Sequence, residues 1–240
     1  DTGTLSDSTQ WSRSSGGAAN GRTPLPQDNA TFDNGSFSGT SQTVTMDMPR
    51  AGRTINWSGY TEGQTPTWSS SLNFTLYGSL TFISGMTLTL TNSEPTFEGR
   101  GSFTWTTGTK SFSSSQPIVI AMVGGDLTLQ DNLTTGTGAT LTLNNGTFDA
   151  NNKNLSIGKF VISANSNTRG LTMGSGTWTI TGTGTVFDLI NNTNLTLDAG
   201  TSTLIINDTS ATAKTLATAS VCGNTGKTLY NFTASGDNIT

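Results

Sequence analysis

The chain has 240 residues, and only 11% of them are charged, against roughly 25% in ordinary soluble domains. Its formal net charge is −4, and the 11 Lys and Arg residues are scattered, so no basic stripe is available to bind nucleic acid. One cysteine, Cys222, excludes an internal disulfide framework, and the absence of histidine removes the commonest metal ligand and general base. The longest apolar run, Ile118 to Val123, is too short to cross a bilayer, so we expect no membrane insertion, no metal and no cofactor.

Residues 1–30 predict an irregular leader or cap. This segment is rich in Ser, Gly, Asn and Pro, and residues such as Pro24 and Pro26 interrupt regular strand pairing. From Phe32 onward, apolar residues begin to alternate with threonine, which predicts β-strands. We therefore expect a second region, residues 31–240, that forms one elongated β-domain and continues beyond this chain.

Three aromatic residues stand out in residues 54–70, where Gly, Pro and Ser predict a loop that leaves the regular strands. They are Trp57, Tyr60 and Trp68. In one interpretation their flat apolar rings contact a host glycan or receptor. In the other, the same rings cap an open end of the core. The sequence leaves both interpretations open.

A short phrase then recurs along the chain. Two apolar residues flank a Thr or Ser, and a turn of Gly, Asn and Thr follows. Such triplets begin at Leu127, Leu141, Leu155, Leu171 and Leu195. Since strand side chains alternate, each triplet places two apolar side chains on one face and one hydroxyl on the other. A strand this short cannot bury its apolar face alone, and neighbouring strands must therefore stack on it in series. The sequence thus predicts an all-β fold, a single-chain parallel β-helix or β-solenoid.

The clearest repeat pairs two longer phrases. The triplet at Leu141 is followed by Gly, Thr and Phe148, and thirty residues later the triplet at Leu171 is followed by Gly, Thr and Trp178. We interpret this spacing as a coil of two to three short strands per turn, with each turn advancing the axis by about 4.8 Å. Phe148 and Trp178 are expected in the core.

These phrases carry a resemblance to a known group of proteins. The residues concerned are Trp11, Ser12, Gly16, Gly17, Pro24, Pro26, Asp28, Phe32 and Asp33 in the leader, and the repeats Leu141–Phe148, Leu171–Trp178 and Asn194–Ile206. Together they resemble the β-helical segments of tailed-phage virion proteins and of bacterial surface proteins. The chain is more similar to the phage tail-fibre type, since it lacks the disulfides, signal peptide and anchor of many cell-surface proteins.

The resemblance implies a non-catalytic structural or attachment protein that forms a stiff β-helical appendage on the surface of a phage virion. Its implied partners are other virion structural proteins, further copies of itself in a homo-oligomer, and a host glycan. A bacterial cell-surface adhesin or fibre subunit, extracellular or on the cell surface, is the first alternative. The second is a β-helical polysaccharide-degrading enzyme, a lyase or glycosidase.

The enzyme alternative needs converging carboxylates, either a pair about 5 to 10 Å apart or a cluster that holds Ca²⁺. The candidates are Asp126, Asp131, Asp149, Asp188, Asp198, Asp208, Glu94 and Glu98, with Arg100 beside them. Most of the aspartates flank a strand next to Asn or Gly, where an Asp side chain caps its own turn. Glu98 and Arg100 are expected to form a surface ion pair of little energetic value. The sequence therefore predicts no catalytic residue.

Overall fold

The computed structural model describes residues 2–60, 63, 65–113, 115–163, 166–190, 193–217 and 228–240. These residues form parallel sheets that stack as a β-solenoid of about 8 turns, and 3% of the chain is helical. The predicted all-β class and the parallel solenoid architecture are confirmed.

The regular structure of the described residues consists mainly of parallel strands, most of them short. They are β1 (Gly3–Thr4), β2 (Asn29–Asp33), β3 (Thr43–Met46), β4 (Thr54–Gly59), β5 (Thr67–Ser70), β6 (Phe74–Leu76), β7 (Leu80–Thr81), β8 (Thr87–Leu90), β9 (Pro95–Phe97), β10 (Ser102–Thr106), β11 (Ser111–Phe112), β12 (Ile118–Leu129), β13 (Leu133–Thr135), β14 (Thr140–Asp149), β15 (Leu155–Ile157), β16 (Lys159–Ile162), β17 (Arg169–Thr172), β18 (Thr177–Ile180), β19 (Gly184–Asp188), β20 (Leu195–Asp198), β21 (Thr203–Ile206), β22 (Lys214–Ala217) and β23 (Asn231–Ala234). Two short 3-10 helices cover Ser8–Gln10 and Asn34–Ser36.

A turn of the solenoid contributes one strand to each of three faces. Face A carries β1, β3, β5 and β8, followed along the axis by β11, β13, β15, β18, β21 and β23. Face B carries β2, β4, β7, β10, the second halves of β12 and β14, then β17 and β20. Face C carries β6, β9, the first halves of β12 and β14, then β16, β19 and β22. Strands one turn apart on the same face pair in parallel, so the backbone hydrogen bonds run along the axis. The exception is on face A, where β8 and β11 are in contact but belong to two separate sheets.

The pairing register corrects the thirty-residue repeat. Leu141 pairs with Phe160 on face C, and Phe148 pairs with Leu171 on face B, so one turn here takes 19 to 23 residues. The Leu141 and Leu171 triplets therefore lie on different faces, one full turn plus one face apart. The phrase recurs without marking a turn because every face makes the same demand, an apolar residue inside and a hydroxyl outside.

The core is a column of apolar side chains along the axis. On face C, Ile118, Leu141 and Phe160 are paired in register, and all three are buried. Phe148 and Trp178 are fully buried, which confirms their predicted place in the core. The ring centroids of Trp178 and Phe160 lie 5.6 Å apart in an edge-on arrangement, a favourable geometry for aromatic pairs.

Residues 54–70 are not the predicted excursion. Thr54–Gly59 forms strand β4 of face B, and Thr67–Ser70 forms strand β5 of face A. Trp57 and Trp68 occupy inward positions of these strands, so burial of the indole rings overrides the loop preference of the Gly, Pro and Ser residues around them.

The leader joins the solenoid at its first turn. Its strand β1 pairs with β3 on face A. The half-buried ring of Trp11 lies edge-on to Phe32 at 5.6 Å, and its Nε1 donates a hydrogen bond to the Leu5 carbonyl at 2.8 Å. A domain boundary at residue 30 stays a prediction.

Candidate functional site

The three aromatic residues proposed for glycan contact are inside the protein. Their exposed fractions are 0% for Trp57, 4% for Tyr60 and 0% for Trp68. Trp57 stacks on Phe32 at 4.1 Å and on Phe37 at 5.7 Å, so its ring faces are covered by other rings. The expectation that these residues present flat faces to a sugar is wrong, because the same apolar area fills the first turns of the core.

Four of the candidate aspartates cap their own turns, as the sequence predicts. Asp149 accepts a hydrogen bond from the amide two residues later at 2.7 Å, and Asp188 does so at 2.8 Å. The corresponding distances are 2.9 Å for Asp198 and 3.0 Å for Asp208. This geometry is that of an Asx turn, in which the carboxylate satisfies a main-chain donor at the end of a strand.

Asp131 has a different role that sequence reasoning missed. Its carboxylate accepts hydrogen bonds from the amides of Thr107 at 2.7 Å, Gly108 at 2.8 Å and Thr109 at 3.3 Å. These amides belong to the turn one coil earlier, so Asp131 connects two coils instead of closing its own turn. The sequence separation of 22 to 24 residues, close to one turn, is the signal that could have identified this role.

The predicted ion pair between Glu98 and Arg100 does not form. Among the described residues, the ion pairs are Arg22 with Asp28 and Lys214 with Asp208. Strand β9 ends at Phe97, so the alternation that would place Glu98 and Arg100 on one face does not apply to them. Glu94 is buried just before the same strand.

Arg169 is buried at the start of β17, an inward position that a charged residue rarely takes. Its guanidinium donates to three carbonyls: from Nε to Asn167 at 3.0 Å, from Nη1 to Ser163 at 2.5 Å, and from Nη2 to Thr193 at 2.6 Å. Burial lowers the pKa of Arg169. Because Thr193 lies one coil later, this side chain holds two successive corners of the solenoid together.

Lys214 is the second buried cation and is completely covered. Its ammonium donates to the carbonyls of Ser210 and Asp237, the latter at 2.9 Å, and lies 2.8 Å from the Asp208 carboxylate. The hydrogen bond from Lys214, followed by that from Ser210, lowers the pKa of Asp208. Sequence reasoning missed both cations because their partners are mainly main-chain carbonyls, which leave no signature in the sequence.

Two open grooves mark the outside of the solenoid. The first, of about 550 Å³, lies between the leader and β2 and is lined by Trp11, Arg13 and Asp33 among others. The second, of about 420 Å³, lies on face B, where several glycines leave a depression bordered by Asp126 and Asp198. The lining of the first groove is mainly polar, whereas that of the second is mainly apolar.

Face B also brings together three of the six candidate aspartates, Asp126, Asp149 and Asp198. Strand pairing places Asp126 three coils from Asp198, about 14 Å at the usual strand spacing, whereas Asp149 lies one coil from Asp126 and two coils from Asp198, about 8 and 10 Å, within the range of a glycosidase pair. Asp149 lies between them, but it and Asp198 are oriented by the amides of their own turns. In the described parts of the chain, no group of three or more His, Cys, Asp or Glu residues could hold a metal ion.

Comparison with known proteins gives no relative for this chain: no family model, no curated protein and no solved structure matches it. Within the described residues, no helix has the length and apolar character needed to cross a membrane. The class of protein is therefore defined by architecture, a parallel β-solenoid.

Proposed function

We propose that this protein is a non-catalytic structural and attachment element, a stiff β-helical segment of an appendage on the surface of a phage virion. One observation carries the proposal: about 8 turns are joined by parallel backbone pairing that is continuous on faces B and C and forms two successive sheets on face A. Each coil is hydrogen-bonded to the coils on either side, so bending the rod or opening one coil disturbs several ladders at once.

Dimensions and surface chemistry support a spacer. About 8 turns at about 4.8 Å each give a rod about 38 Å long. Its outer surface is dominated by hydroxyl and amide side chains. A rod of this kind holds a terminal module at a fixed distance from a particle, whereas a flexible linker of similar length does not.

The placement of the carboxylates favours a structural role over hydrolysis of polysaccharides. Four candidate aspartates accept hydrogen bonds from their own turns, and Asp131 accepts three from the turn of the preceding coil. These groups stabilise turns, and this use accounts for their positions beside strands. The partners that we propose are other virion structural proteins, further copies of this chain in a homo-oligomer, and a host glycan that binds elsewhere than at Trp57, Tyr60 or Trp68.

The first test locates the protein. Antibodies raised against the purified chain should label appendages of phage particles from the source culture in immunogold electron microscopy, and should leave uninfected cells unlabelled. Label on the surface of uninfected cells would replace the virion proposal by a cell-surface adhesin.

The second test separates attachment from catalysis. Purified chain added in excess should reduce adsorption of the phage to its host and should release no new reducing ends or unsaturated sugars from host polysaccharide. An Asp149→Asn variant is the control, because Asp149 belongs to the face that would carry a carboxylate pair. The non-catalytic proposal would be overturned if the unaltered chain released sugars and the Asp149→Asn variant did not.

A further inference from the structure

Asparagine is followed directly by glycine at three places in the chain, at Asn20, Asn34 and Asn145. In such a pair the main-chain nitrogen of the glycine can attack the side-chain carbonyl carbon of the asparagine, because glycine has no side chain to hinder the approach. The nitrogen has to lose its proton first, so the hydrogen bonds of the glycine amide decide whether the reaction occurs. The three pairs differ in these hydrogen bonds.

Two of the three glycine amides are held by other groups. The Gly146 amide lies in strand β14 and donates to the Thr168 carbonyl of the next coil at 3.0 Å and to the Asn145 side-chain oxygen at 2.9 Å. The Gly35 amide donates to the Asp33 carboxylate at 3.0 Å. A ladder hydrogen bond and a neighbouring negative charge both oppose loss of the amide proton. These two pairs are therefore protected in the folded chain.

The Gly21 amide has no such protection. It donates no hydrogen bond to any residue that the structure describes, and both Asn20 and Gly21 are exposed in the leader. A Cβ added at position 21 would meet nothing within 4 Å beyond its chain neighbours, so solvent approaches this peptide from an open side. The φ of Gly21 is +71°, in the left-handed region that favours glycine. Its nitrogen is thus accessible both to hydroxide and to the Asn20 side chain.

The Asn20 side chain is also held in place for the reaction. Its oxygen accepts a hydrogen bond from the Arg22 amide at 2.9 Å, which closes an Asx turn. Because the Gly21 nitrogen lies within the ring that this hydrogen bond closes, the side-chain carbonyl carbon stays near it. The main chain is fixed as well, since the Asn20 amide donates to the Trp11 carbonyl at 2.8 Å. When attack places negative charge on the side-chain oxygen, the Arg22 amide already donates to that oxygen, as in an oxyanion hole.

We propose that Asn20 is a site of spontaneous deamidation, at which the folded leader converts its own asparagine to aspartate and isoaspartate. The Gly21 nitrogen gives its proton to hydroxide and forms a bond to the side-chain carbonyl carbon of Asn20. The bond from that carbon to the side-chain nitrogen breaks, and this nitrogen takes a proton from water and leaves as ammonia. Water then opens the resulting succinimide ring. Cleavage at the side-chain carbonyl gives aspartate, and cleavage at the main-chain carbonyl gives isoaspartate.

The two products change the leader in different ways. Aspartate keeps an oxygen that can accept from the Arg22 amide, and it adds one negative charge to the net charge of −4. Isoaspartate routes the main chain through the side-chain carbon, which lengthens the main chain and removes the Asx turn. Both changes are confined to the leader, so we expect the strands of the solenoid to stay paired. This inference does not depend on the proposed virion role.

The test follows all three asparagines in one molecule. The purified whole chain is incubated in mildly alkaline buffer, and peptide mapping by mass spectrometry measures conversion at each site. In the folded chain Asn20 should react at least about 100-fold faster than Asn145, since the Gly146 amide becomes available only when β14 opens. In guanidinium chloride the two should react alike, and Asn20 should react no faster than in the folded chain, because unfolding removes the Asx turn. No conversion of Asn20 in the folded chain, equal conversion of Asn20 and Asn145 there, or faster conversion of Asn20 after unfolding would overturn the proposal.

Two variants assign the product to its site. Asn20→Gln should eliminate the acidic species that appears first on ion exchange, because ring closure through the longer side chain is slower. Asn145→Gln is the matched control and should leave that species unchanged. Circular dichroism should show that both variants fold. Survival of the early acidic species in Asn20→Gln would place the modification elsewhere and overturn the proposal.

Discussion

Replacing Arg169 with methionine tests whether a buried cation holds the corners of the solenoid together. Methionine keeps a long apolar stem in the core but removes the guanidinium, which donates to carbonyls at 3.0, 2.5 and 2.6 Å. Two of these carbonyls belong to the corner before β17 and the third to the corner one coil later. All three lose a donor at once in Arg169→Met.

The magnitude follows from those three contacts. A hydrogen bond that involves a charged group contributes about 1.5–3 kcal/mol, but burying the guanidinium costs several kcal/mol that the variant recovers. The two effects partly cancel, so we expect Arg169→Met to lower the free energy of unfolding by about 3 kcal/mol. Hydrogen exchange should accelerate first at amides near Ser163 and Thr193, because the loss is local in a linear stack of coils.

Urea unfolding followed by circular dichroism measures this loss. Arg22→Met is the matched control, since Arg22 is exposed and forms a surface ion pair with Asp28 at 2.8 Å, a contact worth about 1 kcal/mol or less. If Arg169→Met and Arg22→Met unfold at the same urea concentration with the same slope, the three carbonyl contacts do not stabilise the corners and the reasoning is refuted.

Three further predictions use the same titration or its temperature equivalent. Gly146→Ala should unfold at a lower urea concentration than Gly124→Ala, although both residues have positive φ, of 78° and 68°. An added Cβ at position 146 would overlap the Met122 carbonyl of the adjacent coil, whereas one at position 124 meets nothing within 4 Å. Equal unfolding midpoints would contradict this prediction. Trp178→Ala should cost about 3–5 kcal/mol, since it removes a fully buried ring, and a loss below about 1 kcal/mol would be inconsistent with that packing. The pKa of Asp208 is lowered from 3.8 by Lys214, so its contribution to stability is present above pH 3.8 and is lost as pH falls below it. Asp208→Asn should therefore melt lower at neutral pH and show a shallower fall of melting temperature in acid, and parallel curves would disprove the linkage.

Alternation of apolar residues with threonine was enough to predict the architecture. Triplets such as that at Leu155 can bury their apolar side only by stacking, and the structure places that triplet in face A between β13 and β18. The inward position of Trp178 and the turn-capping role of Asp149 follow from equally local rules. These features depend on residues within a few positions of one another.

Other features depend on the number of residues in each corner between strands, and this number cannot be read from the sequence. The triplets at Leu141 and Leu171 look equivalent, yet they lie on faces C and B because one turn takes fewer than thirty residues. The small and polar neighbours of Trp57 predict a loop, yet the Trp57 side chain is fully buried in the core. Arg169 could not be predicted as buried, since its partners are main-chain carbonyls that carry no signature in the sequence.

The uneven length of the turns has a consequence for how such a molecule can change over time. Paired residues are 19 positions apart at Leu141 and Phe160 on face C but 28 apart at Leu204 and Phe232 on face A, and both pairs are regular parallel pairs. Extra residues are accommodated at the corners, where doubling the length of a loop costs only about 0.6 kcal/mol. Mutation can therefore enlarge or exchange the corners, creating new contact loops on the outside, while the stacked strands inside continue to tolerate few alterations.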